Sequence, residues 1–283
     1  MTQSLYQYNN CYGILEDIRT ELNEWSVALS QGSKVASYDN SDIVRKINTA
    51  QRFLWNMLFI RFPELFLTTA NVTGTAGVYT NPSDLYRLSH IIDSSGNKIS
   101  NISIKLKHLS NNTGSPYLYY RYGNTIVRDN GGTDTITYYY YKTVKEMTQG
   151  MSSAGGVSSL TLATTAKPVA DYYNGIIIEN ITNGWASTIS DYTAAGVATL
   201  TGTGAASNYY GTVSELPECF HDLISQKAKL LLRSEIVSPE KPTTQIQMDF
   251  RENLIETIRA FTGSYYSDIP MDELFYDFNS YYR

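Results

Sequence analysis

The chain has 283 residues, a formal net charge of −5 and only 17% charged residues, while 42% of its residues are hydrophobic. This length favours two packed units or one domain with an insertion, and the hydrophobic content is enough for a sizeable core. The acidic balance and the lack of a long basic run exclude tight nucleic-acid binding by counterion release, which needs clustered Lys and Arg.

The termini and cysteines suggest a protein made in the cytoplasm with no membrane partner. The N-terminus has no basic and apolar signal segment, and no apolar run approaches the ~20 residues that span a bilayer. Cys11 and Cys219 lie far apart in sequence, so they predict neither a metal cluster nor a disulfide framework. We interpret Cys219, at a helix start, as a small buried residue.

Tyrosine is unusually frequent, with 24 residues. Tyrosine is enriched at protein interfaces, where it adds contact area and a hydrogen-bonding tip at low entropic cost. A coding bias that raises Asn and Tyr together explains the same composition. Composition alone therefore leaves an assembly surface and a coding bias both open.

Two amphipathic helices come first in the predicted order. From about residue 11 to 29, apolar residues recur at three- and four-residue steps, which is helical spacing. The second helix starts at a Ser41-Asp42 cap, runs to Leu58 and ends before Pro63, because a residue that precedes proline is pushed out of the α region. Its apolar stripe consists of Ile43, Ile47, Ala50, Leu54, Met57 and Leu58.

Strands are predicted next, from about residue 76 to 147. A glycine turn at 73–77 precedes a short strand, and residues 93–97 form a hairpin turn. The run 138–141, four consecutive tyrosines, places aromatic rings on both faces of one strand, which suits burial between neighbours but favours aggregation at a bare edge. The further expected strands are 88–92, 99–106, 117–122, 124–128 and 134–141.

A second β block follows a small-residue linker at 148–156. This block is poor in charge and rich in Thr, Ala and Gly, and we expect a small sandwich or barrel-like insertion. Its expected strands are 157–163, 173–181, 185–192 and 197–201, closed by residues 207–211.

Two more helices are predicted from Pro217 and from about residue 243, the second capped by Gly263. Since no helix can bury its apolar stripe alone, we expect the four to pack together. The predicted fold is α+β: a discontinuous four-helix bundle with an inserted antiparallel β lobe and a second small all-β insertion. The predicted domains are 1–75 and 214–263 for the two parts of the bundle, 76–147 for the β lobe, 148–213 for the inserted β module and 264–283 for an aromatic-rich docking tail.

The tail, residues 264–283, differs from the rest of the chain in composition. Seven of its twenty residues are Phe or Tyr, too many for a solvated disordered end. Aromatic anchors in a terminal arm suggest docking into a groove on a neighbouring subunit, and packing on the chain's own helices is the alternative. The candidate interaction residues are Tyr265, Tyr266, Leu274, Phe275, Tyr276, Phe278, Tyr281 and Tyr282.

No catalytic, cofactor or metal motif is found in the sequence. His90, His108 and His221 lack spaced partners suited to a metal, so we interpret them as structural. The segment 129–134 superficially resembles a calcium loop, but it lacks the distal Glu and a hairpin turn explains it. We therefore expect no catalytic, metal or cofactor-binding residues and a protein that is not an enzyme.

The order of several motifs along the chain is more informative than any one motif alone. They are Ile47-Asn48-Thr49-Ala50-Gln51-Arg52, Thr73-Gly74-Thr75-Ala76-Gly77-Val78-Tyr79, and the stretches 81–88, 122–126, 135–141 and 216–224. In this order they resemble the head–tail connector or adaptor proteins of tailed bacteriophages, including the podophage proteins called tail tubular protein A or gatekeeper. The stretches 171–175 and 189–192 also look like an inserted β module of phage structural proteins.

The resemblance implies a ring, commonly of twelve subunits, that sits under the portal and forms part of the DNA channel. The implied partners are further copies of the chain, the portal protein, and a downstream tail or second adaptor protein. DNA would pass through the lumen without sequence-specific binding. The implied location is the head–tail junction of the virion, after synthesis in the host cytoplasm.

Two other classes of protein are kept as alternatives. A tail fibre-associated or receptor-binding β module, suggested by the Gly/Thr-rich second block, predicts trimers rather than a large ring. A polysaccharide-cleaving tail enzyme requires an acidic cleft within that block.

Overall fold

The computed structural model of the chain describes residues 10–21, 38–106, 118–128, 133–201, 207–236 and 244–262. These residues form four α-helices and two seven-stranded β-sheets. The helices are α1 (Cys11–Glu21), α2 (Asn40–Arg61), α3 (His221–Ile236) and α4 (Thr244–Thr262). Short 3₁₀ turns lie at Pro63–Phe66, Ile104–Leu106 and Glu218–Phe220.

The first sheet has the strand order β1-β7-β3-β4-β5-β6-β2. Its pairs are antiparallel except for β4 and β5, which run parallel. Its terminal strands β1 and β2 contact each other, so the sheet curls towards a barrel. The strands are β1 (Leu67–Thr73), β2 (Val78–Thr80), β3 (Leu85–Ile92), β4 (Lys98–Asn101), β5 (Leu118–Tyr122), β6 (Thr125–Val127) and β7 (Thr135–Lys142).

Strand β7 is the centre of this sheet, because it pairs with β1 along seven residues and with β3 on its other side. Its alternate residues Ile136, Tyr138 and Tyr140 are buried, while Tyr139 and Tyr141 lie half-buried on the opposite, outer face. The tyrosine run therefore lies in a strand between two neighbours, as predicted, with two of its four rings buried. The core cluster on the inner face comprises Tyr79, Ile91, Ile99, Tyr119, Ile126, Ile136, Tyr138 and Tyr140.

The second sheet has the order β8-β14-β11-β12-β13-β10-β9. Only Ser152 and Ser153 separate its two terminal strands, and their backbone amides donate to Asn208 and Thr161 respectively, which curls this sheet as well. The strands are β8 (Gln149–Met151), β9 (Ala154–Gly155), β10 (Ser159–Thr161), β11 (Ile177–Asn180), β12 (Trp185–Tyr192), β13 (Val197–Leu200) and β14 (Tyr209–Thr212).

Three tyrosines help to fill the interior of the second sheet. Tyr173, Tyr192 and Tyr210 are all buried, and the rings of the first two meet edge to face with centroids 4.9 Å apart. Each hydroxyl bonds to backbone: Tyr192 donates to the Lys167 carbonyl at 2.9 Å, and Tyr210 accepts from the Ala163 amide at 2.8 Å. Tyr173 likewise accepts from the Lys167 amide at 3.2 Å. Burial therefore leaves no hydroxyl of these three unpaired.

The segment before and within α1 covers the second sheet. Asn10 forms a β-bridge with Val213, and its side-chain amide donates to Glu179 on β11 at 2.5 Å. Gly211 on β14 permits this approach, since a Cβ atom there would lie 2.6 Å from Asn10 Oδ1. Burial raises the pKa of Glu179, although the hydrogen bond from Asn10 opposes that effect.

The chain divides into two compact units. Among the described residues, one unit contains α1, α2 as far as Gln51, the second sheet, α3 and α4. The other contains the rest of α2 from Arg52 and the first sheet, with residues 169–172.

The expectation of a four-helix bundle with inserted β regions is wrong. The described chain is mainly β-sheet, and α1 packs on β14 of the second sheet as well as on α3, which in turn packs on α4. Asp17 of α1 binds α3 twice, accepting from Ser225 at 2.5 Å and pairing with Lys229 at 2.8 Å. An amphipathic stripe shows that a helix needs an apolar partner, but a sheet satisfies that need as well as a helix does.

Most of the individual helices and turns are where the sequence predicts them. The second helix begins one residue earlier than its predicted cap and extends three residues beyond Leu58. The hairpin at 93–97 is confirmed, with Gly96 at a φ of +85° and Asp93 and Asn97 joined by a backbone hydrogen bond. The described part of the first helix ends at Glu21, so its predicted extension to residue 29 lies outside the described residues.

Four strands and one cysteine differ from the predictions. Strand β1 lies in a stretch where no strand is predicted, and β8 and β9 occupy most of the predicted linker. The predicted strand 99–106 ends at Asn101 and gives way to a 3₁₀ turn. Cys219 is exposed in the turn before α3, so its interpretation as a buried residue is wrong, whereas Cys11 is buried.

Candidate protein-interaction surface

An aromatic cluster lies where α2 ends and the first sheet begins. Trp55 and Phe59, one helical turn apart, stack at 5.2 Å between ring centroids. Tyr86 of β3 meets both of them edge to face, at 4.7 Å from Trp55 and 5.1 Å from Phe59. Phe66 lies 5.7 Å from Trp55, and Tyr141 lies 5.5 Å from Phe59. Edge-to-face contacts of this kind stabilise a fixed arrangement of rings.

Local sequence features bring these rings together. Trp55 and Phe59 are four residues apart and share one side of the helix. Pro63 starts the 3₁₀ turn that follows α2, and Phe66 at its end is buried. Tyr86 lies in a register shift of β3 between Leu85 and Arg87, which turns its ring towards the helix.

Part of the cluster is exposed, together with aliphatic neighbours. Ile60 is 70% exposed and Tyr86 is 53% exposed, although each is a large apolar or aromatic side chain. Leu67 is exposed beside its cross-strand partner Tyr141. We name the outer aromatic patch as Phe59, Ile60, Leu65, Leu67, Tyr86 and Tyr141. Ring contacts join Phe59 to Tyr86 and Tyr141, and Leu67 lies across from Tyr141, while Ile60 and Leu65 are exposed nearby in the chain. Exposed apolar groups around joined rings are typical of a protein–protein contact.

A basic residue borders the outer aromatic patch. Arg87 lies directly across from Tyr141 on the outer face, whereas Lys142 pairs with Leu85, which packs against the inner core. Glu64 supplies an acidic charge in the 3₁₀ turn, while Asp84 accepts a hydrogen bond from Tyr140 at 2.8 Å. A basic residue beside an apolar centre favours a partner that combines apolar and acidic groups.

Trp55 lies beneath the patch and is 3% exposed. No described residue accepts a hydrogen bond from its indole nitrogen. Because tryptophan emission depends on its surroundings, Trp55 is a natural reporter of anything that binds over Phe59 and Tyr86.

A buried polar group fixes the glycine turn elsewhere in the first sheet. Arg128 Nη1 donates to Asp134 Oδ2 at 2.7 Å, and Asp134 also accepts from the hydroxyl of Tyr79. Burial and the hydrogen bond to Asp134 raise the pKa of Tyr79 to about 12. A Cβ atom at Gly74 would lie 2.4 Å from the Tyr79 ring, so this motif position accepts only glycine without rearrangement. The group stabilises the sheet and offers no reactive side chain.

The two described histidines contact groups of their own chain. His221 is buried, its Nε2 lies 2.8 Å from the Leu216 carbonyl oxygen, and burial lowers its pKa. His90 stacks on Tyr139 with centroids 4.3 Å apart, and His108 lies outside the described residues. Within the described ranges, His, Cys, Asp and Glu form no group of three or more that could hold a metal ion.

The predicted docking residues of the tail all lie outside the described residues. They are Tyr265, Tyr266, Leu274, Phe275, Tyr276, Phe278, Tyr281 and Tyr282. Their role in docking therefore stays a prediction.

The outer aromatic patch is missing from the sequence predictions. One available signal is that Trp55 and Phe59 continue a second apolar line beside the predicted stripe, and Ile60 lies next to it. Such extra apolar residues on a helix exceed what one buried face requires. The contributions of Tyr86 and Tyr141 depend on strand pairing and carry no local signal.

None of the described helices combines the length and the apolar character that crossing a bilayer requires. A family model described as SU10 adaptor protein matches residues 9–179, which is more than half of the chain. That range covers the whole first sheet and the outer aromatic patch. A search of curated proteins found no match.

Proposed function

This chain belongs to the SU10 adaptor protein family of phage structural adaptors, and we propose that it forms an oligomeric ring between the portal and the tail. The family makes the protein a virion component with a structural role. In our proposal the ring extends the DNA channel below the portal and presents a platform on which the tail docks. Its partners are further copies of the chain, the portal protein, and a downstream tail or second adaptor protein.

The observation that carries this proposal is the family match over residues 9–179. The order of motifs in the sequence also supports it, because that order resembles head–tail connector proteins. An exposed aromatic surface within the matched range fits a chain whose role is to bind other proteins.

The charge of the chain fits a channel through which DNA slides. A net charge of −5 disfavours retention of the phosphate backbone, since binding by counterion release requires clustered Lys and Arg. The protein would therefore surround DNA without sequence-specific contacts.

Mass measurement of the purified protein tests the ring directly, with negative-stain images as the second readout. The proposal predicts a closed ring with a central hole, commonly of twelve subunits in the proteins that the sequence resembles. A stable trimer would contradict it and favour a fibre-associated module.

A second test removes residues 264–283. We predict that the shortened chain loses binding to portal rings in co-sedimentation while its far-UV circular dichroism spectrum shows that it stays folded. Full portal binding by the shortened chain would reject the tail as a docking arm.

A further inference from the structure

We infer that the outer aromatic patch is the acceptor for the tail, residues 264–283, of a neighbouring copy of this chain. The inference rests on the proposed ring, since it assigns the contact that joins one subunit to the next. It adds the acceptor surface and the chemistry by which the tail is recognised.

The composition of the tail matches the patch. The tail carries seven Phe and Tyr residues together with Asp268, Asp272, Glu273 and Asp277, against one basic residue, Arg283. The patch presents exposed aromatic and aliphatic groups, and Arg87 lies beside its Tyr141 on the outer face. Aromatic anchors and acidic groups on the tail thus match an apolar centre and an adjacent basic residue on the patch.

The geometry of the patch favours added rings. Phe59 and Tyr86 are fixed by edge-to-face contacts with each other, and Trp55 contacts both of them from below. An incoming Phe or Tyr ring finds aromatic edges and faces that are already ordered, so binding costs little side-chain entropy on the acceptor side.

The length of the tail permits contact with another copy. Twenty residues span up to about 65 Å when extended, at roughly 3.3 Å per residue. That distance exceeds the ~40 Å diameter expected of the larger of the two compact units, so the tail is long enough to extend beyond its own unit.

A labelled peptide of residues 264–283 tests the recognition. The acceptor is the full chain carrying Phe275→Ser, Tyr276→Ser and Phe278→Ser, so that its own tail does not compete. We expect saturable fluorescence anisotropy and a shift in tryptophan emission. The added variant Tyr86→Ser should weaken peptide binding by roughly tenfold or more, as loss of a central aromatic anchor does.

Matched controls distinguish binding to the patch from non-specific binding of the peptide. Tyr122 on β5 is 68% exposed, and Tyr122→Ser should leave the affinity for the peptide unchanged. Arg87→Glu should weaken binding more at low salt than at high salt, whereas Lys98→Glu on β4 should have no effect. Equal losses from Tyr86→Ser and Tyr122→Ser, with unchanged thermal unfolding, would overturn the assignment of the patch.

A mixing experiment tests whether the contact joins two copies. One variant carries Ile60→Asp and Tyr86→Ser with an intact tail, and the other carries the three tail substitutions with an intact patch. We expect the 1:1 mixture to give a two-chain species that neither variant forms alone. No such species, with each variant folded, would mean that the tail does not join copies through the patch and would overturn the inference.

The outcomes distinguish this inference from the proposed function. A tail variant that still forms the wild-type ring, and loses only portal binding, would refute the contact between tail and patch while leaving the ring intact. A wild-type chain that stays monomeric, but whose patch binds the peptide, would refute the ring while supporting the recognition.

Discussion

Both sheets bury tyrosines, but they differ in how many tyrosine rings stay exposed. The second sheet buries Tyr173, Tyr192 and Tyr210 and pairs their hydroxyls with backbone, and residues 10–12 lie against its strand β14. The first sheet also buries tyrosines but turns Tyr86 outward, over an exposed apolar surface. Abundant tyrosine therefore indicates neither a core nor an interface until the strand pairing is known. The second sheet has its tyrosines enclosed, whereas the first sheet has an exposed apolar surface.

The largest expected difference in the loss of unfolding free energy is between Tyr210→Ala and Tyr86→Ala. Removing the buried Tyr210 leaves a cavity and unpairs the Ala163 amide, so the free energy of unfolding should fall by about 3–5 kcal/mol. Removing the half-exposed Tyr86 loses mainly ring contacts, which amounts to about 1 kcal/mol. Urea unfolding measures both. Equal losses would show that the first sheet depends on its outer ring as much as the second depends on its core.

The cover of the second sheet is tested by Gly211→Ala. The new Cβ atom would lie 2.6 Å from Asn10 Oδ1 and 2.7 Å from the Tyr12 amide nitrogen. The segment at residues 10–12 must then move, at an expected cost of about 1–3 kcal/mol in unfolding free energy. A variant as stable as the wild type would indicate that this segment is not held against β14.

The stability of the fold should depend on pH through Glu179, which accepts a hydrogen bond from Asn10 in the same segment. Burial raises the pKa of this carboxyl, so its contribution to stability is present below the ordinary value of 4.5 and is lost as the pH rises through the folded-state pKa. Glu179→Gln keeps the hydrogen bond from Asn10 and removes the titration. The variant should therefore gain stability over the wild type between pH 4 and pH 7 in urea unfolding. If the difference in unfolding free energy between the variant and the wild type shrinks as the pH rises, this account is contradicted.

The smallest effect is expected at the tip of the first sheet. Ala76 and Gly77 form a two-residue turn between Thr75 and Val78, and Ala76 has a φ of +51°. Turns of this kind favour residues that adopt the left-handed region easily. Ala76→Gly should therefore stabilise the fold by about 0.5–1 kcal/mol, measured by thermal unfolding, with Ala70→Gly in β1 as a destabilising control.

Local patterns predicted the helices and the central strand better than they predicted the fold. The stripe from Ile43 to Leu58 and the buried alternation of β7 come from periodicities that the chain carries locally. Strand β1, with the sequence Leu67-Thr68-Thr69-Ala70-Asn71-Val72-Thr73, has little apolar alternation, and its identity depends on pairing with β7 more than sixty residues away. Non-local pairing is also what replaced the expected bundle, because α1 rests on β14.

The candidate surface was harder to predict than the elements that build it. Trp55 and Phe59 stand out on their helix, but Tyr86 joins them only through a register shift and Tyr141 only through its place on the outer face of β7. The tail was singled out from composition alone, because a high local content of Phe and Tyr is evident without any knowledge of tertiary contacts. The resemblance to phage adaptor proteins, by contrast, followed from the order of motifs along the chain, and the family match supports that broader assignment.

The central claim is that this chain assembles with copies of itself through outward-facing contacts. The most direct measurement is the mass of the purified full-length protein in solution, by native mass spectrometry or mass photometry across a range of concentrations. The account predicts one closed ring much larger than a trimer, on the order of twelve copies of the 31.8 kDa chain. A monodisperse 31.8 kDa monomer at every concentration would contradict it.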